Sequence, residues 1–190
     1  GMLYEAFMVK MIGEGSPYDA EAAAYLKNFT EHSDMLEIYG HIDAKFNDFS
    51  TYHQKIEEGF KYYQHYFPDS TLPRVITFYS NFNANVFPYE NNLAIGLDMY
   101  LGKDHEVVKS LPIQFFPQYL KDKMDEKYLV ADAMKGWLMN RFAKEIAEGD
   151  DFLSTIITLG KVMYLLDAMI PLEEDYIKFG CTAEQIEWCR

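Results

Sequence analysis

Residues 93–101, LAIGLDMYL, form the stretch on which the fold assignment depends. This apolar run ends at Gly102, a pattern that is typical of a buried strand. Residues 74–79, RVITFY, are β-branched and aromatic and predict a second strand. Residues 84–88 add a possible short third strand. Because a pair of strands alone is only marginally stable, we expect this small sheet of two or three strands to pack against helices.

Helical patterns occupy the rest of the chain. The front half predicts helices over 19–31, 34–46 and 51–66, and the back half predicts helices over 125–145 and 151–170. The sequence therefore predicts an α+β fold that is predominantly helical, organised as a single domain over residues 1–190.

The segment 151–170 is the most apolar of the predicted helices. Phe152, Ile156 and further apolar residues form one stripe, and a second stripe runs beside it. A helix that is apolar on most sides is either buried in a core or spans a membrane. Lys161 and Asp167 inside it argue against a span. We therefore expect 151–170 to be the central core helix and among the most buried elements.

Charge and cysteine content exclude several functions. The chain has 190 residues and a formal net charge of −13. Nucleic acids and anionic membrane surfaces would repel so acidic a protein. The two cysteines, Cys181 and Cys189, would lie about 12 Å apart on one helix, too far for a disulfide. A capping box at Thr182–Gln185 predicts that a last helix begins close to the end of the sequence, which favours a fragment of a longer chain.

The motifs of common catalytic sites are missing from the sequence. The five histidines include no HExxH or HxxxH pair, which excludes a helical zinc site of that type. There is also no GxSxG, GxxxxGK[ST] or GxGxxG motif, so a nucleophile elbow and both nucleotide cradles lack support. The sequence therefore predicts no catalytic residue, no cofactor and no metal ligand.

Polar residues within apolar runs leave two interpretations open. Asp98 in the strand, Lys135 in the helix 125–145 and Lys161 in the core helix would be costly to bury unpaired. They either face solvent or pair structurally, or they form a small polar cleft between sheet and helices. The aromatic residues of 62–67 have the same two interpretations, core packing or a binding groove.

Three strings resemble the GldB-type gliding-motility lipoproteins of the Bacteroidetes phylum. They are LPRVIT at 72–77, LDMYLGKDH at 97–105 and GKVMYLLDAMIP at 160–171. The resemblance covers nearly the whole chain, and the family's chains continue beyond it. It implies an exported cell-envelope protein on the periplasmic side, lipid-anchored through an N-terminal cysteine that this sequence does not contain.

The family is also distantly similar to zincin metallopeptidases. On that similarity Ala131, Lys135 and Leu159 occupy the positions of the three metal ligands, and Asp132 occupies that of the general base. The resemblance thus implies a degenerate, metal-free fold, in which Asp132 has no metal-bound water to act on.

Three hypotheses about function follow. The first is a non-catalytic envelope protein that binds an envelope partner, either a protein or a ligand. The second is a hydrolase that uses an atypical cleft around Asp98 and Asp132. The third is a plain helical interaction module. Convergence of Asp98, Asp132, Lys135 and Lys161 in one pocket with shifted pKa values would favour the second.

Overall fold

A computed structural model of the chain describes residue 5, residues 18–142 and residues 151–189. This part of the chain is predominantly helical with one small sheet, so the predicted α+β class is confirmed. The end of the helix predicted over 125–145 and the terminal Arg190 lie outside the described residues. The described helices are α1 (Ala22–Glu31), α2 (Ser33–Phe46), α3 (Ser50–Tyr66), α4 (Glu106–Ser110), α5 (Gln118–Lys121), α6 (Leu129–Arg141), α7 (Phe152–Met169), α8 (Asp175–Phe179) and α9 (Ala183–Cys189), with 3₁₀ turns at Leu97–Tyr100 and Glu126–Tyr128.

The sheet contains three strands, within the two or three that the sequence predicted, and their order is β1-β3-β2. These strands are β1 (Arg74–Phe78), β2 (Val86–Tyr89) and β3 (Asn92–Gly96), with β3 parallel to β1 and antiparallel to β2. The predicted strand over 93–101 is too long, because β1 ends opposite Gly96 and leaves the following residues without a partner strand. Those residues form a 3₁₀ turn instead, so Asp98 is not a strand residue.

Helix α6 supplies more of the core than any other described helix. Seven of its 13 residues are buried: Leu129, Val130, Ala131, Ala133, Met134, Trp137 and Leu138. One side of α6 lies against the sheet, and the other packs with α3 and α7. Leu93 and Ile95 of β3 are fully buried. The core therefore lies between α6, α3 and the central strand.

The prediction that 151–170 forms the central core helix is wrong. Only Val162, Leu166 and Met169 of the 18 residues of α7 are buried. The helix is apolar on most sides, but among the described elements its main contacts are with α3, α6 and α8, and most of its surface is not buried by them. By length and composition α7 could cross a membrane. However, its buried residues belong to the core, and Asp167 forms an ion pair with the buried Lys178 of α8, so α7 is part of the folded domain.

The C-terminal helix confirms two smaller predictions. The Thr182 N–H donates to Gln185 Oε1 at 2.8 Å, and the Gln185 N–H donates to Thr182 Oγ1 at 3.1 Å, which is the predicted capping box. Cys181 and Cys189 are both free thiols. No disulfide therefore constrains this end of the described chain.

We predict that alanine substitutions at two helical glycines have opposite effects on stability. A Cβ atom at Gly136 of α6 would lie 2.5 Å from Cγ1 of Val86 on β2, whereas one at Gly160 of α7 meets nothing within 4 Å. Gly136→Ala should lower the free energy of unfolding by about 1 kcal/mol or more, because a stiff β-branched side chain must move. Gly160→Ala should raise it by about 0.5–1 kcal/mol through helix propensity. Urea unfolding of both variants checks this, and a stabilising Gly136→Ala would contradict the α6–β2 packing.

Candidate functional site

The buried carboxylate of Asp98 accepts hydrogen bonds from the loop that follows β1. Its Oδ1 accepts the Ser80 N–H at 2.9 Å. Its Oδ2 accepts the Ser80 hydroxyl at 2.8 Å and the Phe82 N–H at 2.5 Å. Asp98 is 0% exposed. Because an unpaired buried carboxylate is costly, these donors are what make an aspartate tolerable at this position.

The close approach of the loop depends on Gly96 and on two left-handed residues. Asn81 (φ 56°) and Phe82 (φ 57°) occupy a backbone region that residues other than glycine rarely adopt. A Cβ atom at Gly96 would lie 2.2 Å from the carbonyl oxygen of Ala84. The Gly96 N–H also donates to the Asn85 carbonyl at 2.9 Å. Glycine at the end of β3 therefore permits the loop to lie against the strand.

Tyr100 and Asn85 connect this region to Asp132 on α6. The Tyr100 hydroxyl donates to Asp132 Oδ2 at 3.1 Å, and the Asn85 side-chain amide donates to the same oxygen at 3.3 Å. Tyr100 is fully buried, whereas Asp132 is partly exposed. We call Asn85, Asp98, Tyr100 and Asp132 the carboxylate cluster. It joins the end of the sheet to the most buried helix.

Burial dominates the electrostatics of the carboxylate cluster. Desolvation raises the pKa of Asp98, although hydrogen bonds from the loop oppose that rise. Desolvation also raises the pKa of Asp132, although its hydrogen bonds and the positive charge of Lys135 act to lower that pKa. Burial and the nearby Asp132 charge raise the pKa of Tyr100 well above its ordinary value. The phenol therefore remains protonated and is a donor at neutral pH.

Three of the four residues of the predicted polar cleft lie near one another. Asp98 and Asp132 both act on the pKa of Tyr100, and Lys135 follows Asp132 by one turn of α6. Lys161 is exposed on α7, and no described contact joins it to the cluster. The predicted four-residue constellation is therefore not assembled as a whole within the described chain.

Sequence analysis missed the polar partners of the two carboxylates. Tyr100 resembled an apolar strand residue. The hydrogen bonds of Ser80 and Asn85 join residues 18 and 47 positions apart in the chain. One signal was available. The Asn-rich stretch 81–85 is typical of tight loops, because asparagine tolerates the left-handed conformation.

The geometry limits what the carboxylate cluster can do chemically. A general acid or base must come within hydrogen-bond distance of the proton that it transfers, and Asp98 is inaccessible with both oxygens occupied. Asp132 is the carboxylate of the cluster that a ligand could reach. Three described cavities are lined by other residues. Among the described residues there is no group of three or more His, Cys, Asp or Glu that could hold a metal ion.

A second feature is an uncovered apolar surface on α7. Its large side chains are between 47% and 82% exposed. Soluble proteins rarely leave contiguous apolar patches of this kind uncovered unless they serve an interaction. We call this the α7 apolar surface, and its members are Phe152, Leu153, Ile156, Ile157 and Tyr164.

A family model described as gliding motility protein GldB matches residues 1–190. The chain therefore belongs to the GldB family. This membership gives it a role in gliding motility and places it among lipid-anchored proteins of the cell envelope. No curated protein and no solved structure matches the chain. The expected relationship to zincins gains no support from these comparisons and stays a prediction.

We predict that Asp132→Asn is more stable than the parent protein at pH 7 and that the difference shrinks toward pH 4. The native pKa of Asp132 is raised by burial. The ionised carboxylate therefore costs stability at neutral pH, and this cost disappears as the pH falls through the native pKa. Urea unfolding across the pH range is the measurement. Asp43→Asn, at an exposed position of α2, is the control and should show little difference at any pH. A destabilised Asp132→Asn at pH 7 would contradict the account.

Proposed function

We propose that this protein works on the periplasmic side of the cell envelope without catalysis, by holding a protein partner on the α7 apolar surface. The observation that carries the proposal is that an 18-residue helix, the most apolar of the described helices, leaves five large apolar side chains exposed. The carboxylate cluster has a structural role in this account: it fixes the sheet on α6, and α6 in turn holds α7.

The shape of the α7 apolar surface suits another helix. Its members recur at positions 152, 153, 156, 157 and 164, which is helical spacing over about 18 Å of axis. Gly160 lies near the middle of α7, and nothing lies within 4 Å of the position that its Cβ would occupy. A partner helix can therefore approach the α7 backbone closely at this point, with apolar side chains packed on either side.

Charge favours a basic partner over a second copy of this chain. Two copies with a net charge of −13 each would repel one another. Asp151 is exposed at the start of α7, Asp167 is exposed near its end but already pairs with Lys178 of α8, and Lys161 lies between them. The occupant that these features favour is an amphipathic helix of another envelope protein, with an apolar face and basic flanks. An anionic lipid surface is disfavoured by the same net charge.

The test is site-specific photo-cross-linking in intact cells of the source bacterium. A benzophenone side chain replaces Ile157, which is 49% exposed on α7, or Ile113, which is 57% exposed in the loop after α4. We expect a discrete adduct with one basic protein from position 157 and none from position 113. A second substitution, Ile156→Asp, should abolish the adduct, because it places a charge within the apolar contact.

Several outcomes would overturn this proposal. They are an adduct whose mass equals two copies of this chain, an adduct with lipid, the same adduct from position 113, or no adduct from position 157. Circular dichroism of the purified variants confirms that they fold. Because Ile113, Ile156 and Ile157 are all exposed, none of these substitutions removes a core residue.

Hydrolysis around Asp98 and Asp132 is a second candidate function, favoured by one observation. Asp132 is a partly exposed carboxyl group with a raised pKa beside a buried tyrosine, and perturbed groups of this kind are enriched at catalytic sites. Hydrolysis is the weaker candidate, because the carboxylate of Asp98 is fully buried. In this respect the protein resembles a pseudoenzyme.

We predict that the purified protein carries no stoichiometric zinc and does not cleave casein or short peptides. Zinc sites need three or four ligands within about 2.0–2.3 Å of the ion. On the expected similarity to zincins, Ala131, Lys135 and Leu159 would occupy the three ligand positions, and none of them is a zinc ligand. Elemental analysis of protein purified without chelator is the measurement. About one equivalent of zinc, lost on chelation together with a hydrolytic activity, would restore the enzyme hypothesis.

A further inference from the structure

A cavity of about 650 Å³ opens on the far end of α3, away from the carboxylate cluster. Its walls come from the last residue of α3, the segment that follows it, the β2–β3 turn and the last turns of α6. The lining residues are Tyr66, Phe67, Pro68, Asp69, Ser70, Thr71, Asn91, Trp137 and Arg141. Its volume lies within the range of small-molecule binding sites.

The lining combines one cation with several groups that recognise hydroxyls. Arg141 is exposed, its guanidinium lies 5.9 Å from the centre of the Phe142 ring, and no described carboxylate pairs with it. A free guanidinium binds a carboxylate through two parallel hydrogen bonds. Asp69 can accept hydrogen bonds from ligand hydroxyls. Asn91 already donates to the Leu72 carbonyl at 3.0 Å, which orients its amide and leaves its side-chain oxygen as an acceptor.

An aromatic wall stands beside these polar groups. Tyr66 is 54% exposed, and the neighbouring His65 ring packs edge-on against it at 5.3 Å. Trp137 also lines the cavity but is only 5% exposed, because the Phe60 and Tyr63 rings pack against it. Tyr66 and Phe67 therefore supply the apolar face that a ligand can reach, at low conformational cost. The sequence had left open whether the aromatic run 62–67 lines a groove or packs in the core, and the structure divides it: Tyr63 is buried, whereas Tyr66 and Phe67 line the cavity.

We propose that this cavity binds a saccharide unit that carries a carboxylate. A pyranose ring has an apolar face of C–H groups and a rim of hydroxyls, which matches an aromatic wall bordered by Asp69 and Asn91. The ligand carboxylate pairs with Arg141. A phosphate dianion fits less well, because Asp69 would repel it. A wholly apolar ligand would leave Arg141 and Asp69 without partners.

The test uses the fluorescence of Trp137 in a titration with trigalacturonate. The chain has two tryptophans, and Trp188→Phe, at an 88% exposed position of α9, leaves Trp137 as the only one. In this background we expect saturable binding of trigalacturonate that is at least about tenfold tighter than that of maltotriose or of triglutamate. Maltotriose lacks the carboxylate, and triglutamate lacks the sugar ring.

Matched substitutions locate the binding. Arg141→Gln should remove the preference for trigalacturonate over maltotriose, whereas Arg74→Gln, an exposed arginine of β1, should leave it. Tyr66→Ala should weaken the binding of both saccharides about tenfold. Tyr164 is an exposed residue of the α7 apolar surface, and Tyr164→Ala should leave the binding of both unchanged. The last variant also separates this proposal from the α7 interaction.

The saccharide proposal fails on any of three results. One is that the fluorescence of Trp137 shows no saturable change with trigalacturonate up to about 10 mM. Another is triglutamate binding as tightly as trigalacturonate, which would indicate an acidic peptide site. The third is unchanged binding in Arg141→Gln or Tyr66→Ala.

Discussion

The buried carboxylate of Asp98 is the interaction on which the rest of the structure depends. It holds the loop after β1 in a conformation that includes two left-handed residues, and Gly96 leaves the space for that loop at the end of β3. The same 3₁₀ turn carries Tyr100, whose hydroxyl reaches Asp132 on α6. Asp98 and Tyr100 together thus attach the three-strand sheet to α6, the helix that fills the core. Such a small sheet would be only marginally stable alone.

This arrangement explains why the two long helices of the back half, α6 and α7, differ in burial. Helix α6 lies between the sheet and α3, so its side chains are covered on several sides. Helix α7 packs against the outer side of that layer and buries only Val162, Leu166 and Met169. Its remaining apolar side chains have no described cover, and they form the surface that we assign to a partner. The described part of the chain therefore presents two separate exposed regions, an apolar helix and an aromatic, polar cavity.

Sequence patterns predicted the fold class and the order of elements, because β-branched runs and helical periodicity are local properties. They predicted the sheet, the capping box at Thr182 and the free cysteines. They placed the end of the predicted strand 93–101 too far along the chain. The strand β3 ends at Gly96, because Phe78, its partner there, is the last residue of β1. They also took α7 for the core helix, because apolarity on all sides does not reveal how many neighbours a helix has. The partners of Asp98 and Asp132 were missed, since both depend on contacts between residues distant in the chain.

We propose that α7, and not the carboxylate cluster, carries the protein's role in gliding motility. The most direct measurement is the gliding of source bacteria whose own gene encodes Ile157→Asp, with Ile113→Asp and Asp132→Asn as comparisons and all proteins at parental abundance in the envelope. The account predicts that Ile157→Asp cells lose gliding, while cells with either comparison variant glide like the parent. Normal gliding with Ile157→Asp, or loss of gliding with Asp132→Asn alone, would contradict it.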